Sequence, residues 1–195
     1  MRKSVKPLAI ITIFCLLCTS LQAQLKLPVM NGVANDVKKV IEDYPNRFVN
    51  LMGEIVSENP QSTDYQCNFK VNGAEEVLIT RYSAKKEVCS WRATMLTTEN
   101  FEKAKQKFKS LYSQLNNLSA NAGGKNFHLK GKYETPVETK KFITVIFDIE
   151  PANEAVQKLK IELSLRFSEP MEWKLEILVY DREREDNEKG KTVEE

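Results

Sequence analysis

Apolar positions along this chain recur with two different periods. Val33, Val37, Val40, Ile41 and Tyr44 fall three or four residues apart, the spacing that gathers side chains on one face of an α-helix. Asn35 or Asp36 is placed to cap its start, and Pro45 breaks it. Asn46 stands where a further cap would, and Phe48, Leu51 and Met52 continue the apolar stripe up to Gly53. The pattern predicts two short helices broken at Tyr44-Pro45, with Tyr44, Phe48 and Met52 in the core. The clearest helix opens after Thr97-Thr98. Phe101, Ala104, Phe108, Leu111, Tyr112, Leu115 and Leu118 form its apolar face, and Asn121-Ala122-Gly123-Gly124 supplies residues that end helices.

The other period is two, the signature of a half-buried strand. Glu54 to Glu58 forms a short strand before Asn59-Pro60. Tyr65, Cys67, Phe69 and Val71 alternate with Gln66, Asn68 and Lys70, and Asn72-Gly73 follows at once. Asn-Gly accepts the positive φ angles of a type I′ hairpin turn, so a return strand is expected over Glu76 to Tyr82. A looser turn at Ser83 to Lys86 leads to a third long strand, Val88 to Leu96. After the long helix come four more strands. Phe127, Leu129 and Tyr133 mark the first. Phe142 to Ile149 is apolar at nearly every position, which predicts a strand covered on both faces. Leu159, Ile161, Leu163, Leu165 and Phe167 alternate with Lys160, Glu162, Ser164 and Arg166, and Trp173, Leu175, Ile177 and Val179 repeat the pattern.

Strands joined by short turns make antiparallel sheet, and a helix with one apolar face must lay it on something. The expected fold is α+β: a curved antiparallel sheet with helices on one face, built from a helix-plus-four-strand unit that occurs twice. The corresponding halves are residues 31–96 and 97–180 of one α+β domain over 24–180. Residues 181–195 read as a charged, flexible tail. The uncovered sheet face carries Lys160, Glu162 and Arg166, open to water or to a partner.

The first residues change the setting. Met1 to Lys6 is a basic head, Leu8 to Leu17 a short apolar run, and Leu21-Gln22-Ala23 ends in a small residue. That layout predicts a secretory signal peptide over 1–23, cleaved near Ala23, and a secreted or periplasmic product. Lipidation at Cys18 competes less well, because the bulky Leu17 precedes it. Three of the 29 basic residues leave with the leader, so 26 face 27 acidic ones. A near-neutral chain has no global field to gather nucleic acid, and no nucleic-acid partner is expected. No later segment is apolar over the roughly 20 residues of a spanning helix.

Cleavage leaves two cysteines, Cys67 and Cys89. An exported chain with two is a candidate for one disulfide. The hairpin register opposes it. A tight Asn72-Gly73 turn sets Cys67 opposite Leu78, and the next loop sets Leu78 opposite Trp91 and Thr80 opposite Cys89. The pair would share a face two strands apart, about 10 Å against a limit of roughly 7 Å between Cα atoms. Compartment and parity favour the bond and register does not, so both readings stand.

Catalytic chemistry is sparsely supplied. His128 is the only histidine, so a Ser-His-Asp or Cys-His mechanism must pass through it, and it sits on the polar side of its strand. No metal site is expected, since zinc needs three or four clustered ligands, and no cofactor-binding motif is present. Gly123-Gly124-Lys125 lacks P-loop spacing. Asp148 and Glu150, two apart on one strand, are the weak candidates for carboxylate catalysis. The expectation is therefore a non-catalytic binding or interaction protein, its partner a protein, a glycan or an apolar ligand held between helix and sheet. The alternatives are a carboxylate-dependent hydrolase of the cell envelope and a structural or accessory subunit. The aromatic residues read mostly as core, so no exposed aromatic ladder points to glycans.

Overall fold

The computed structural model describes residues 32–83 and 88–182. The leader over 1–23, Cys18, most of the Ser83–Lys86 turn and all but the start of the charged tail lie outside the described residues. Among those residues, nine strands form one antiparallel sheet in the order β1-β2-β3-β4-β9-β8-β7-β6-β5. They are β1 (Met52–Asn59), β2 (Ser62–Cys67), β3 (Glu76–Tyr82), β4 (Val88–Thr98), β5 (Ser119–Ala122), β6 (Lys125–Gly131), β7 (Phe142–Glu150), β8 (Leu159–Ser168) and β9 (Glu172–Asp181). Helix α1 spans Val33–Asp43 and helix α2 spans Phe101–Leu115.

Both helices cover the same face of this sheet. Asn100 caps α2 by accepting from Lys103 N at 2.9 Å, which satisfies an otherwise orphaned donor of the first turn. Phe101, Ala104, Phe108, Leu111 and Leu115 are buried on the sheet, as the helical period predicts. They meet Trp91, Ala93, Ile161, Leu163, Leu165, Trp173, Leu175, Ile177 and Val179 in one core, and Phe101 packs on Trp173 with ring centroids 4.9 Å apart. The alternation in β8 and β9 thus assigns the core face correctly. Antiparallel sheet with helices on one side stands as expected.

Several local expectations are corrected. Helix α1 is capped by Gly32 without a side-chain bond; Asp36 lies inside the first turn and accepts from Asn72 N at 2.9 Å. The second short helix is two 3-10 turns, Tyr44–Asn46 and Val49–Leu51, joined through Arg47 and Phe48 at φ 54° and 60°. Two consecutive left-handed residues are costly for side chains with a Cβ. The corner is held by fully buried Phe48 and by Asp43, whose Oδ1 accepts from Asn46 Nδ2 and Asn50 Nδ2 at 2.8 and 2.6 Å.

Helix α2 stops at Leu115, not at the glycines. Asn117 adopts φ 70°, and Asn116 Oδ1 accepts from Gly131 N at 3.0 Å, so the chain turns into an additional edge strand, β5. Gly123 and Gly124, at φ 61° and 76°, form the two-residue link between Ala122 and Lys125, the pattern of a I′ turn. A Cβ on Gly123 would also stand 2.5 Å from Ala155 Cβ. At Asn72-Gly73, where that turn was expected, only Gly73 has positive φ. Residues 68–75 form a longer loop, and β3 is turned over relative to the expectation. Gln66 pairs with Leu78, and Ile79 with Trp91. Ile79 therefore enters the core and Leu78 the opposite face.

This register decides the cysteines. Cys67 falls in the row of Ala93, four residues along β4 from Cys89, with β3 between. The separation is roughly 13 Å along the strand and 10 Å across it. Neither buried cysteine is in a disulfide, and the geometry excludes one between them. Strand β7 is corrected as well. Ile143, Val145 and Phe147 are buried, but Phe142 and Ile146 are 58% and 41% exposed, because no described element covers the second face.

Candidate functional site on the open sheet face

The helix-free face is polar at its centre and apolar at one flank. Ladder pairings set its rows. Leu78, Arg92, Leu178, Glu162 and Ile146 follow one another across β3, β4, β9, β8 and β7. The next row runs Glu76, Thr94, Glu176, Ser164 and Thr144, and Phe142 stands opposite Arg166 beyond it. Between Thr94 and Leu96 the β4–β9 register shifts by one residue. A bulge of this kind bends and twists the strand, and here it lets both Met95 and Leu96 lie against the core.

Glu176 is the focus of this face. It is only 3% exposed, although no described helix lies above it. Arg166 Nη2 approaches its Oε2 at 3.2 Å, and Arg92 Nε lies 3.9 Å from its Oε1. The second distance is an ion pair without a hydrogen bond. Both arginines are themselves more than a third exposed along their side chains, although Arg166 Nε is buried. Alongside, Glu162 is fully engaged: Thr144 Oγ1 donates to its Oε1 at 2.8 Å and the Tyr180 hydroxyl to its Oε2 at 3.0 Å.

Three buried polar atoms at the centre have no hydrogen-bond partner: Thr94 Oγ1, Arg166 Nε and Glu176 Oε1. Each such atom costs on the order of 1–3 kcal/mol if nothing satisfies it. They comprise one acceptor, one donor and one hydroxyl that can act as either. The flanking Phe142 and Ile146 add an apolar edge beside Arg166 and Glu162.

The residues singled out from sequence for catalysis lie elsewhere. Asp148 and Glu150 are both exposed on β7 and share a face, as their spacing predicts. Asp148 stands opposite Lys130 and Glu150 opposite His128. Asp148 lines a shallow cleft of about 420 Å³ with Ile149, Asn153, Val156 and Lys160, and Glu150 does not; the two acids do not converge on one cavity. His128 is exposed, as its strand position predicts, and its Nδ1 lies 2.8 Å from Ser119 Oγ. Ser119, His128 and Glu150 thus form a row across β5, β6 and β7. All three face solvent and none lines the adjacent cleft, so no walls are present to position a substrate. Burial pushes the Cys67 thiol above its ordinary value, only partly offset by backbone hydrogen bonds from Phe69 and Asn68, which makes it unreactive rather than nucleophilic. Among the described residues no cluster of three or more metal-ligating side chains occurs, and no helix is long and apolar enough to cross a membrane.

Of the open-face residues, Glu162 and Arg166 were readable as polar strand positions. Arg92, Thr94 and Glu176 were not singled out, because their meeting depends on the pairing of β4 with β9, which are remote in sequence. No protein-family model matches this chain, and neither a curated protein nor a solved structure matches it.

Proposed function

We propose that this protein is an exported, non-catalytic binding module that takes its ligand on the open face of the sheet. The observation that carries the reading is the uncovered second face of the sheet, where Phe142 and Ile146 are 58% and 41% exposed beside the Arg92, Arg166 and Glu176 charge cluster. Apolar side chains left in water gain by being covered, which favours a partner over bulk solvent at this face. Solid packing under α2, with Phe108, Leu111 and Leu115 fully buried, argues against an apolar ligand between helix and sheet. The exposure of Asp148 and Glu150 argues against the hydrolase alternative.

Export rests on the basic, apolar and small-residue layout of the first 23 residues, with lipidation at Cys18 the lesser alternative. The helix-plus-four-strand repeat belongs to the same proposal. Its support is the strand order, which reads outward from the centre as β4-β3-β2-β1 on one side and β9-β8-β7-β6 on the other. On that reading the site lies at the junction of the halves, with Arg92 and Thr94 from one and Arg166 and Glu176 from the other.

The test is an NMR titration of the chain lacking residues 1–23 with neutral sugars, acidic sugars, short peptides and fatty acids. Binding on this face moves the Arg92 and Arg166 Nε–H signals and the Thr94 amide. Perturbations confined to the helix side, or turnover of a compound that requires Asp148 or Glu150, would contradict the proposal.

A further inference from the structure

We infer that the outer edge of strand β1 is a second docking surface, which takes an extended polypeptide segment of a partner protein in which lysine or arginine alternates with apolar residues. This surface is separate from the open-face site: it lies at the end of the sheet, three strands from β4 and its Arg92.

Strands β1 and β5 end the sheet, and an end strand presents a row of unpaired N–H and C=O groups that another strand can use. The two ends are built differently. β5 is four residues long, its Ala120 and Ala122 are buried, and the Ala122 carbonyl accepts from Asn153 Nδ2 at 3.0 Å. β1 is eight residues long, and no described element lies beyond it. Val49, just ahead of it, and Ile55 and Val56 within it are 62%, 53% and 57% exposed. The register against β2 shifts between Ile55 and Ser57, so Val56 is the extra residue of a bulge. Two neighbouring apolar side chains therefore stand exposed at this rim. Its backbone groups call for a strand, and its side chains call for apolar cover.

Charge selects the kind of strand. Every charged side chain of β1 and β2 is acidic: Glu54, Glu58 and Asp64. Asp64 accepts from Ser57 Oγ and Thr80 Oγ1 at 2.9 and 2.6 Å, whereas Glu54 and Glu58 are exposed. Arg81, two strands in, is held over the Tyr65 ring at 5.4 Å. Lysines commonly guard sheet edges; this edge carries the opposite sign, and a partner strand supplies the cations. A segment with valine beside Ile55 brings flanking lysines within reach of Glu54 and Glu58. A second copy of this chain fits worse. It brings its own Glu54, Glu58 and Asp64 to an acidic edge, and the two register shifts in β1 bend it away from the straight pairing that joins whole sheets.

The experiment uses the chain lacking residues 1–23 and amide NMR, with the peptide acetyl-Lys-Thr-Val-Lys-Val-Thr-Lys-amide as the probe. The expected result is binding with a Kd on the order of 1 mM or tighter, and slowed hydrogen exchange confined to the amides of β1. Ile55→Asp should weaken binding at least about tenfold. Glu54→Gln combined with Glu58→Gln should weaken it at least about threefold. All three positions are exposed, so the thermal midpoint should hold in both variants. Val137→Ser, exposed in the β6–β7 connection, should leave binding unchanged. Two control peptides should each bind at least about tenfold more weakly: one with glutamate in place of every lysine, and one with its three central backbone nitrogens methylated. Equal binding of the glutamate peptide would overturn the basic partner, and equal binding of the methylated peptide would overturn strand addition. Failure of the lysine peptide to bind, or a dimer that protects β1 without peptide, would overturn the inference outright. Shifts at Phe142 and Arg166 instead of β1 would place the peptide on the open face and overturn this surface while leaving that one standing.

Discussion

The two faces of the central strands are made from the same backbone and treat their side chains in opposite ways. On β8, Ile161, Leu163 and Leu165 are fully buried on the helix side, whereas Glu162, Ser164 and Arg166 alternate with them on the other. The apolar side needs nothing beyond contact, since burial of methylene groups is non-directional and each contributes about 0.8 kcal/mol. The polar side needs partners at defined positions. Thr144 and Tyr180 supply them for Glu162, but Glu176 Oε1, Thr94 Oγ1 and Arg166 Nε lack them. A side chain can therefore be equally inaccessible on the two faces, as Ile177 and Glu176 are, yet be satisfied on one and short of a hydrogen bond on the other.

The helix side should carry most of the stability. Trp173→Ala removes a buried ring that packs on both Phe101 and Phe167, and it should cost about 3–5 kcal/mol in urea unfolding. On the open side the effect is smaller. Glu176→Ala leaves Arg92 and Arg166 without their carboxylate, but both arginines reach water, so the loss should be about 1–2 kcal/mol. A loss as large as that of Trp173→Ala would mean that the polar cluster is a structural core and not a recognition surface.

Away from both faces, Met171 sits 70% exposed in a turn at φ 85°. Met171→Gly relieves a left-handed residue without removing packing and should raise the thermal midpoint, by the equivalent of about 0.5–1 kcal/mol. The smallest effect concerns Cys67, whose folded-state pKa lies above its ordinary value of 9.0. A group raised on folding contributes fully below its unfolded pKa and loses that contribution as pH rises through the folded one. The stability difference between the wild type and Cys67→Ala should thus be constant up to about pH 9 and narrow above it.

The contrast between faces also separates what was legible in the sequence from what was not. Alternation in β8 and β9 and the 3.6 period of α2 identified the core directly, since these patterns are local and each apolar position needs only to face inward. Turn geometry was less legible. Asn72-Gly73 carries the sequence of a I′ hairpin, but the loop around it is longer, and the one-residue change turned β3 over and set the cysteines further apart than the sequence reading had them. The strand β5 was hidden because Gly123-Gly124 ends a helix and closes a hairpin equally well. The uniform apolar run in β7 suggested two covered faces, yet Phe142 and Ile146 are uncovered, and no local pattern distinguishes a core side chain from one reserved for contact. Glu162 and Arg166 could be placed on the polar face. Their convergence with Arg92, Thr94 and Glu176 could not, because the β4–β9 ladder joins residues about eighty positions apart.

Val145 and Ile146 are neighbours in the chain, alike in size and apolar character, and they point to opposite faces of β7. Thermal unfolding of Val145→Asp and Ile146→Asp, measured side by side, tests the account most directly. The predicted result is a Val145→Asp chain that is unfolded or nearly so, and an Ile146→Asp chain that melts within a few degrees of wild type. Equal and severe destabilisation by both substitutions would mean that β7 is covered on its two faces and that the open face does not exist.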